Sequence, residues 1–277
     1  MKVVYFGSDV FLSCFEYFVK NHEILALYTY HNDEDYFQEY SIVRRAGELG
    51  IPVFYESVTQ ERIREYFGEQ GCDLFFIAEY DRKVDVPEDL KEFKGINVHS
   101  SLLPQGRSYY PIECAMAREL TETGVTLHKI TNALDCGDII AQGKVTITPK
   151  VDSLDVYMTN AANAQKLLTG IMDDFEKAWN SAQPQKEVIP YWKRPKDELL
   201  TITHEMTVQE ALEVFRRYNG MTELLLEGKV NFVYAMMPGS AMLFRQEIQL
   251  REGMWLFGLR DGHIRINVTC KNQKNRI

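Results

Sequence analysis

Lys2-Val3-Val4-Tyr5-Phe6-Gly7-Ser8-Asp9 decides the fold, because an unbroken apolar run that halts at a glycine, a serine and an aspartate reads as a buried strand entering a tight turn. A helix-like stretch follows from Val10 to Lys20, and the same grammar then repeats. Ile24 to Tyr28 is a second strand, and His31 to Tyr36 an acidic loop. Ile42 to Leu49 is an amphipathic helix ending at Gly50, and Ile51-Pro52-Val53-Phe54 returns as a strand. Gln60 to Glu69 has helical spacing, Asp73 to Ala78 is an apolar strand, and Gly95 to His99 is a short one. Strands alternating with helices predict an α/β fold, a doubly wound and mostly parallel sheet of the Rossmann-like kind. Ligands of such sheets lie beyond the carboxyl ends of the strands, where Gly7-Ser8-Asp9, Glu79 to Lys83 and Asn97-Val98-His99 converge. Gly7-Ser8-Asp9 itself lacks the GxGxxG pattern of a nucleotide loop and reads as a plain strand-to-helix turn.

Further along, a helix from about Ser153 to Asn180 closes the large domain, residues 1–181. Prolines at 184, 190 and 195 break the pattern, so 182–206 reads as a linker. Thr207 to Tyr218 is a short helix with Thr207 as N-cap and Glu210 completing a capping box. From Thr222 to Val268 short β-rich runs alternate with turn residues, so 207–277 is expected to be a small β-rich domain, with a hint of homodimerisation through it.

The 277 residues are 45% hydrophobic and 26% charged, an ordinary globular balance. No window approaches the roughly 18 uninterrupted apolar residues of a membrane helix, and the first residues lack a signal-peptide layout; no membrane partner and a cytoplasmic location are expected. Cys14, Cys72, Cys114, Cys136 and Cys270 form no CxxC pair and read as buried free thiols, and no metal site is expected. A net charge of -9 argues against a nucleic-acid partner, whose backbone selects a basic face.

The chemistry-bearing segment is Ile96-Asn97-Val98-His99-Ser100-Ser101-Leu102-Leu103-Pro104. Asn97 and His99 occupy alternate strand positions, so they face one pocket at a strand end. Gly124-Val125-Thr126-Leu127-His128 supplies another strand, and Leu134-Asp135-Cys136-Gly137-Asp138 a glycine-supported acidic turn able to offer a carboxylate to the imidazole.

Asn97-x-His99, Ser101-Leu102-Leu103-Pro104, Gly124-Val125-Thr126-x-His128 and Asp135-x-Gly137-Asp138-Ile139 resemble, in order and interval, the signature of the folate-dependent formyltransferases. That family includes methionyl-tRNA formyltransferase, glycinamide ribonucleotide formyltransferase and the N-formyltransferases of nucleotide-linked amino sugars. The resemblance implies 10-formyltetrahydrofolate as donor and Asn97, His99 and Asp135 as the catalytic trio. Asn97 and a protonated His99 would stabilise the developing oxyanion, and Asp135 would orient the ring and raise its pKa. The amine proton could go to His99, Asp135 or water. His128 suits a structural hydrogen bond to the site.

The stretch Arg82, Lys83, Val84 resembles the backbone that holds the pterin ring, and Thr131, Asn132, Ala133, Leu134 the opposite wall, with Leu103 also on the folate side. For the acceptor the expected contacts are Ser101, Arg107, Tyr109, Trp192 and Arg194, with a surface salt bridge as the alternative for Arg107. Ser100 replaces the proline often found after the histidine, and Ser108-Tyr109-Tyr110 replaces a glycine-rich stretch where the family shapes its acceptor pocket. A tRNA substrate predicts a basic insertion and a basic C-terminal domain, whereas the loop here is acidic. The expected partner is therefore a small nucleotide-sugar amine. Methionyl-tRNA, another small amine, or hydrolysis of the donor remain as alternatives.

Overall fold

The computed structural model describes residues 1–31, 40–186, 189–239 and 246–270, and divides the chain into two compact units. The first comprises Met1–Ile112, Thr121–Ile147 and Val156–Trp192. The second comprises Glu113–Leu120, Thr148–Asp155 and Lys193–Ile277. Of the acidic loop read from His31 to Tyr36, residues 32–36 lie outside the described residues.

In chain order the elements are β1 (Lys2–Gly7), α1 (Leu12–Asn21), β2 (Glu23–Tyr28), α2 (Ser41–Glu48), β3 (Val53–Phe54), α3 (Gln60–Gly68), β4 (Leu74–Ala78) and β5 (Gly95–His99). Then come α4 (Pro111–Ala117), β6 (Glu122–Lys129), β7 (Ile139–Thr146), α5 (Ser153–Met172) and α6 (Phe175–Asn180). Seven strands form one sheet in the order β3-β2-β1-β4-β5-β6-β7, parallel from β3 through β5 and antiparallel at β5-β6 and β6-β7. A mixed α/β fold with a mostly parallel sheet is thus what the alternating pattern predicts.

The sheet is buried on both faces because β1 from Val3 to Phe6 and the whole of β4 are apolar, and the two-residue strand period sorts them. Val3, Tyr5 and Phe76 pack on one side with Phe15 and Phe18 of α1. Val4, Phe6 and Phe75 pack on the other with Tyr28, Ile63 and Tyr66. Ring pairs lock both layers, Tyr5 to Phe76 at 5.7 Å and Phe6 to Tyr28 at 4.8 Å between centroids. A fully buried phenylalanine of this kind contributes about 2–3 kcal/mol of transfer free energy.

The turn after β1 does more than reverse the chain. Asp9 accepts hydrogen bonds from the main-chain nitrogens of Ser41 (2.8 Å) and Ile42 (2.9 Å), satisfying the open start of α2 from a distance in sequence. One expectation is corrected: the helix read as continuous from Ser153 to Asn180 stops at Met172. Asp174 breaks it by capping α6 with its own side chain, which accepts from Lys177 N at 3.2 Å.

The second unit adds α7 (Asp197–Leu200), β8 (Thr201–Ile202), α8 (Val208–Tyr218), β9 (Glu223–Leu226), β10 (Lys229–Pro238), β11 (Glu247–Arg251), β12 (Met254–Gly258) and β13 (His263–Cys270). Its six-stranded sheet runs β11-β12-β13-β10-β9-β8. Thr207 and Glu210 make the capping box of α8. Residues 197–202, inside the stretch read as linker, are α7 and β8, because Leu200 and Ile202 are buried, Ile202 in the core of this sheet. Among the described residues no helix is long and apolar enough to cross a membrane. Cys14, Cys72 and Cys114 are buried, and burial pushes the Cys14 thiol up to about 12. Cys136 is exposed instead, since it follows Asp135 on a surface turn; the Cys270 side chain lies outside the described part.

Candidate active site

Strand β5 ends with Asn97 and His99 two residues apart, and antiparallel β6 returns beside it with His128 directly opposite Asn97. Asn97 Nδ2 lies 3.0 Å from His128 Nε2, and His128 Nδ1 lies 2.9 Å from the Lys129 carbonyl oxygen. A carbonyl only accepts, so Nδ1 of His128 carries the proton and Nε2 presents a lone pair. Burial, and secondarily the charge of His99, lowers the His128 pKa to about 3 and keeps the ring neutral. The nearest Asn97 atom must therefore be the donating NH2, which leaves its second N–H for a ligand.

His99 is fixed in the same way. Its Nε2 donates to the Gly106 carbonyl at 2.8 Å, and its Nδ1 stands 3.6 Å from Asp135 Oδ1. Gly106 has φ +81, and a side chain there would meet Ser101 Cβ at 2.7 Å, so only glycine turns its carbonyl toward the ring. Asp135, 6% exposed, lies between two imidazoles, with His128 Nε2 3.9 Å from the same oxygen. Burial raises its pKa, against the opposing pull of His99 and Arg107. Gly137 next to it is forced by contact: a Cβ would sit 1.8 Å from the Lys129 carbonyl oxygen.

These three groups open onto one cleft. Its lining includes Arg82, Lys83 and Val84, then Thr131, Ala133 and Leu134, and the apolar Ile77 and Ile130. Arg82 turns its guanidinium to the Tyr55 carbonyl and Lys83 pairs with Asp85 at 2.5 Å. Asn132 is off the wall and ties the two loops together: its Oδ1 accepts from Val86 N at 2.9 Å and its Nδ2 donates to Val86 O at 3.0 Å. Tyr109, 65% exposed, also lines the cleft with Ser108, Pro111 and Tyr191, its ring 6.0 Å from that of Tyr191.

Several residues expected to touch ligands are occupied elsewhere. Leu103 is buried, its N–H bound to Thr126 Oγ1 (3.1 Å) and its carbonyl to Gln142 Nε2 (2.8 Å), so it is a structural link behind the wall. Ser101 spends its hydroxyl on the Gln105 carbonyl at 2.7 Å. Arg107 is 7% exposed rather than a surface ion pair, and it donates to the Asp135 carbonyl (3.1 Å) and to Gln185 Oε1 (2.6 Å). Trp192 donates its main-chain N–H to the Arg107 carbonyl at 2.8 Å. Arg194 is paired within the second unit with Asp197 and, at 3.1 Å, with Glu223. Sequence reasoning missed Tyr191 and Gln185, because proline-rich surroundings carry no local sign of a pocket.

The family model described as formyl transferase matches residues 43–171. Among solved structures, HypX from Aquifex aeolicus in complex with tetrahydrofolic acid shares the fold at a TM-score of 0.70 and 18% identity, over 99% of this chain and 45% of its own. An N-formyltransferase from Helicobacter canadensis, in complex with folinic acid and dTDP-3-aminofucose, matches at 0.61 and 20% identity, over 97% of this chain and 99% of its own. A 4-N formyltransferase from Francisella tularensis matches at 0.62 and 19% identity, over 82% of this chain and 93% of its own. The chain thus spans less than half the length of HypX. At such identities the likeness to these structures is one of fold.

Proposed function

Because the family model described as formyl transferase matches residues 43–171, we propose that this chain moves a formyl group from 10-formyltetrahydrofolate to the amine of a nucleotide-linked amino sugar. The observation that carries this reading is the meeting of Asn97, His99 and Asp135 on the wall of one cleft, with Asp135 Oδ1 3.6 Å from His99 Nδ1. A neutral amine attacking a formyl carbon builds negative charge on the formyl oxygen, and fixed N–H groups aimed there lower the barrier. Asn97 offers the N–H that His128 does not use. His99, held at Nε2 by Gly106, works through Nδ1, where a proton makes it a charge-assisted donor. Asp135 stands beside that nitrogen, where its carboxylate can orient the ring, and burial raises its own pKa.

The donor end of the cleft fits a flat heterocycle. Apolar Ile77, Val84, Ile130 and Leu134 offer surfaces for its faces, and two main-chain segments, 82–84 and 131–134, offer hydrogen-bonding edges. The Tyr109 and Tyr191 rings suit a sugar or base. The Helicobacter relative, in complex with dTDP-3-aminofucose, and the net charge of -9 support a small acceptor over tRNA. A second reading is transfer to a different small amine, since the HypX neighbour is described in complex with tetrahydrofolic acid and not with an amino sugar.

The test mixes the protein with 10-formyltetrahydrofolate and follows tetrahydrofolate release with dTDP-linked amino sugars, other small amines, methionyl-tRNA, or no amine. Release that requires the nucleotide amino sugar supports the proposal. Release with other amines alone supports the second reading, release without amine a hydrolase, and formylation of methionyl-tRNA removes the sugar assignment.

A further inference from the structure

We infer that Gln185 is a positioning residue for Asp135, an inference that rests on the proposed formyl transfer only for its kinetic readout. Gln185 follows α6 in the stretch read as linker, yet its amide is fully used inside the first unit. Its Nε2 donates to the Asp135 carbonyl at 2.9 Å and to the Gly137 carbonyl at 2.8 Å, and its Oε1 accepts from Arg107 Nη2 at 2.6 Å. Two acceptors on one side and a cation on the other leave the amide a single orientation. Arg107 completes the ring by donating from Nε to the same Asp135 carbonyl at 3.1 Å.

Asp135 needs such a restraint, because its φ of +53 lies in the left-handed region that a residue with a Cβ seldom adopts without support. Anchored at the carbonyls of 135 and 137, the turn holds the carboxyl between His99 and His128. Gln185 is not among the residues lining the cleft. Its effect on the reaction therefore passes through the Asp135 backbone, and the chemistry of a primary amide is specifically required. A glutamate could still pair with Arg107 but could donate to neither carbonyl, and a leucine could do neither.

The test compares Gln185→Leu and Gln185→Glu with the unaltered protein. Both are expected to lose between about 10- and 100-fold in kcat, the scale of a displaced catalytic group, with the KM for the folate donor within threefold. A folded Gln185→Glu protein, judged by circular dichroism, that keeps kcat within twofold overturns the proposal, as does a loss confined to KM. Should the leucine variant fail to fold, Gln185→Asn, one methylene too short to bridge both carbonyls, serves with the same expectation. An activity-free arm reads the Gln185 side-chain amide by nitrogen-15 NMR in the unaltered protein. Both protons should exchange with water far more slowly than those of exposed glutamines. Fast exchange overturns the proposal even if formyl transfer is confirmed; slow exchange in a protein without formyl transfer leaves the clamp standing and removes only the reaction.

Discussion

Acidification from pH 7 to pH 5 should destabilise this protein through His128 by an amount that the structure sets. The ring is 2% exposed, donates from Nδ1 to a carbonyl and accepts the Asn97 amide at Nε2, so the native state has no room for a second ring proton. Its folded pKa is about 3 against 6.5 for the free side chain. A group lowered by folding contributes its full share above the unfolded pKa and loses it as the pH falls. Between 6.5 and 3 only the unfolded chain binds the proton, and each unit removes about 1.4 kcal/mol. Down to pH 5 the loss attributable to His128 is about 2 kcal/mol. Urea unfolding at the two pH values, followed by tryptophan fluorescence, measures it against His128→Gln, in which the glutamine carbonyl can still accept from Asn97. The other titrating groups are common to both proteins and cancel. An equal pH dependence in the two would refute the neutral, fully engaged imidazole.

Asn97→Ala and Asp135→Ala should each cut turnover by about 100-fold or more while circular dichroism remains native; tetrahydrofolate release near the unaltered rate in either would remove that residue from the mechanism. Asn132→Ala cuts the two hydrogen bonds joining the 82–86 and 131–134 loops, so the folate Kd should rise about tenfold with the thermal midpoint little changed, as read by calorimetric titration. Thr207→Ala removes the cap of α8 and should cost about 1 kcal/mol in denaturant unfolding, with no effect on folate binding.

The parallel part of the sheet was legible because its strands are buried on both faces and advertise themselves as unbroken apolar runs, from Val3-Val4-Tyr5-Phe6 to Leu74-Phe75-Phe76-Ile77. Asn97 and His99 were legible from strand alternation, and Asp135 from its glycine-supported turn. What stayed hidden depends on partners distant in sequence. Arg107 looks like a phosphate ligand by residue type, but its charge faces a carbonyl supplied by residue 135. Leu103 sits in the motif yet points into the interior, because Thr126 and Gln142 take its main chain. The break between α5 and α6 rests on one aspartate acting as a cap, which periodicity alone does not register.

The antiparallel seam between β5 and β6 also bears on how such a protein can diversify. Asn97 and His128 are opposite each other by ladder register, so replacing the side chains of Ser108 and Tyr109, which lie between them in sequence, leaves that register unchanged. A one-residue slip of the seam, by contrast, would swing the imidazole to the far side of the sheet and leave the asparagine amide free to rotate. Under the proposed reaction, changes of acceptor are expected to fall at 108–110, while the paired β5 and β6 are nearly intolerant of insertion. Libraries that randomise 108–110 should accordingly yield altered acceptors far more often than dead enzymes.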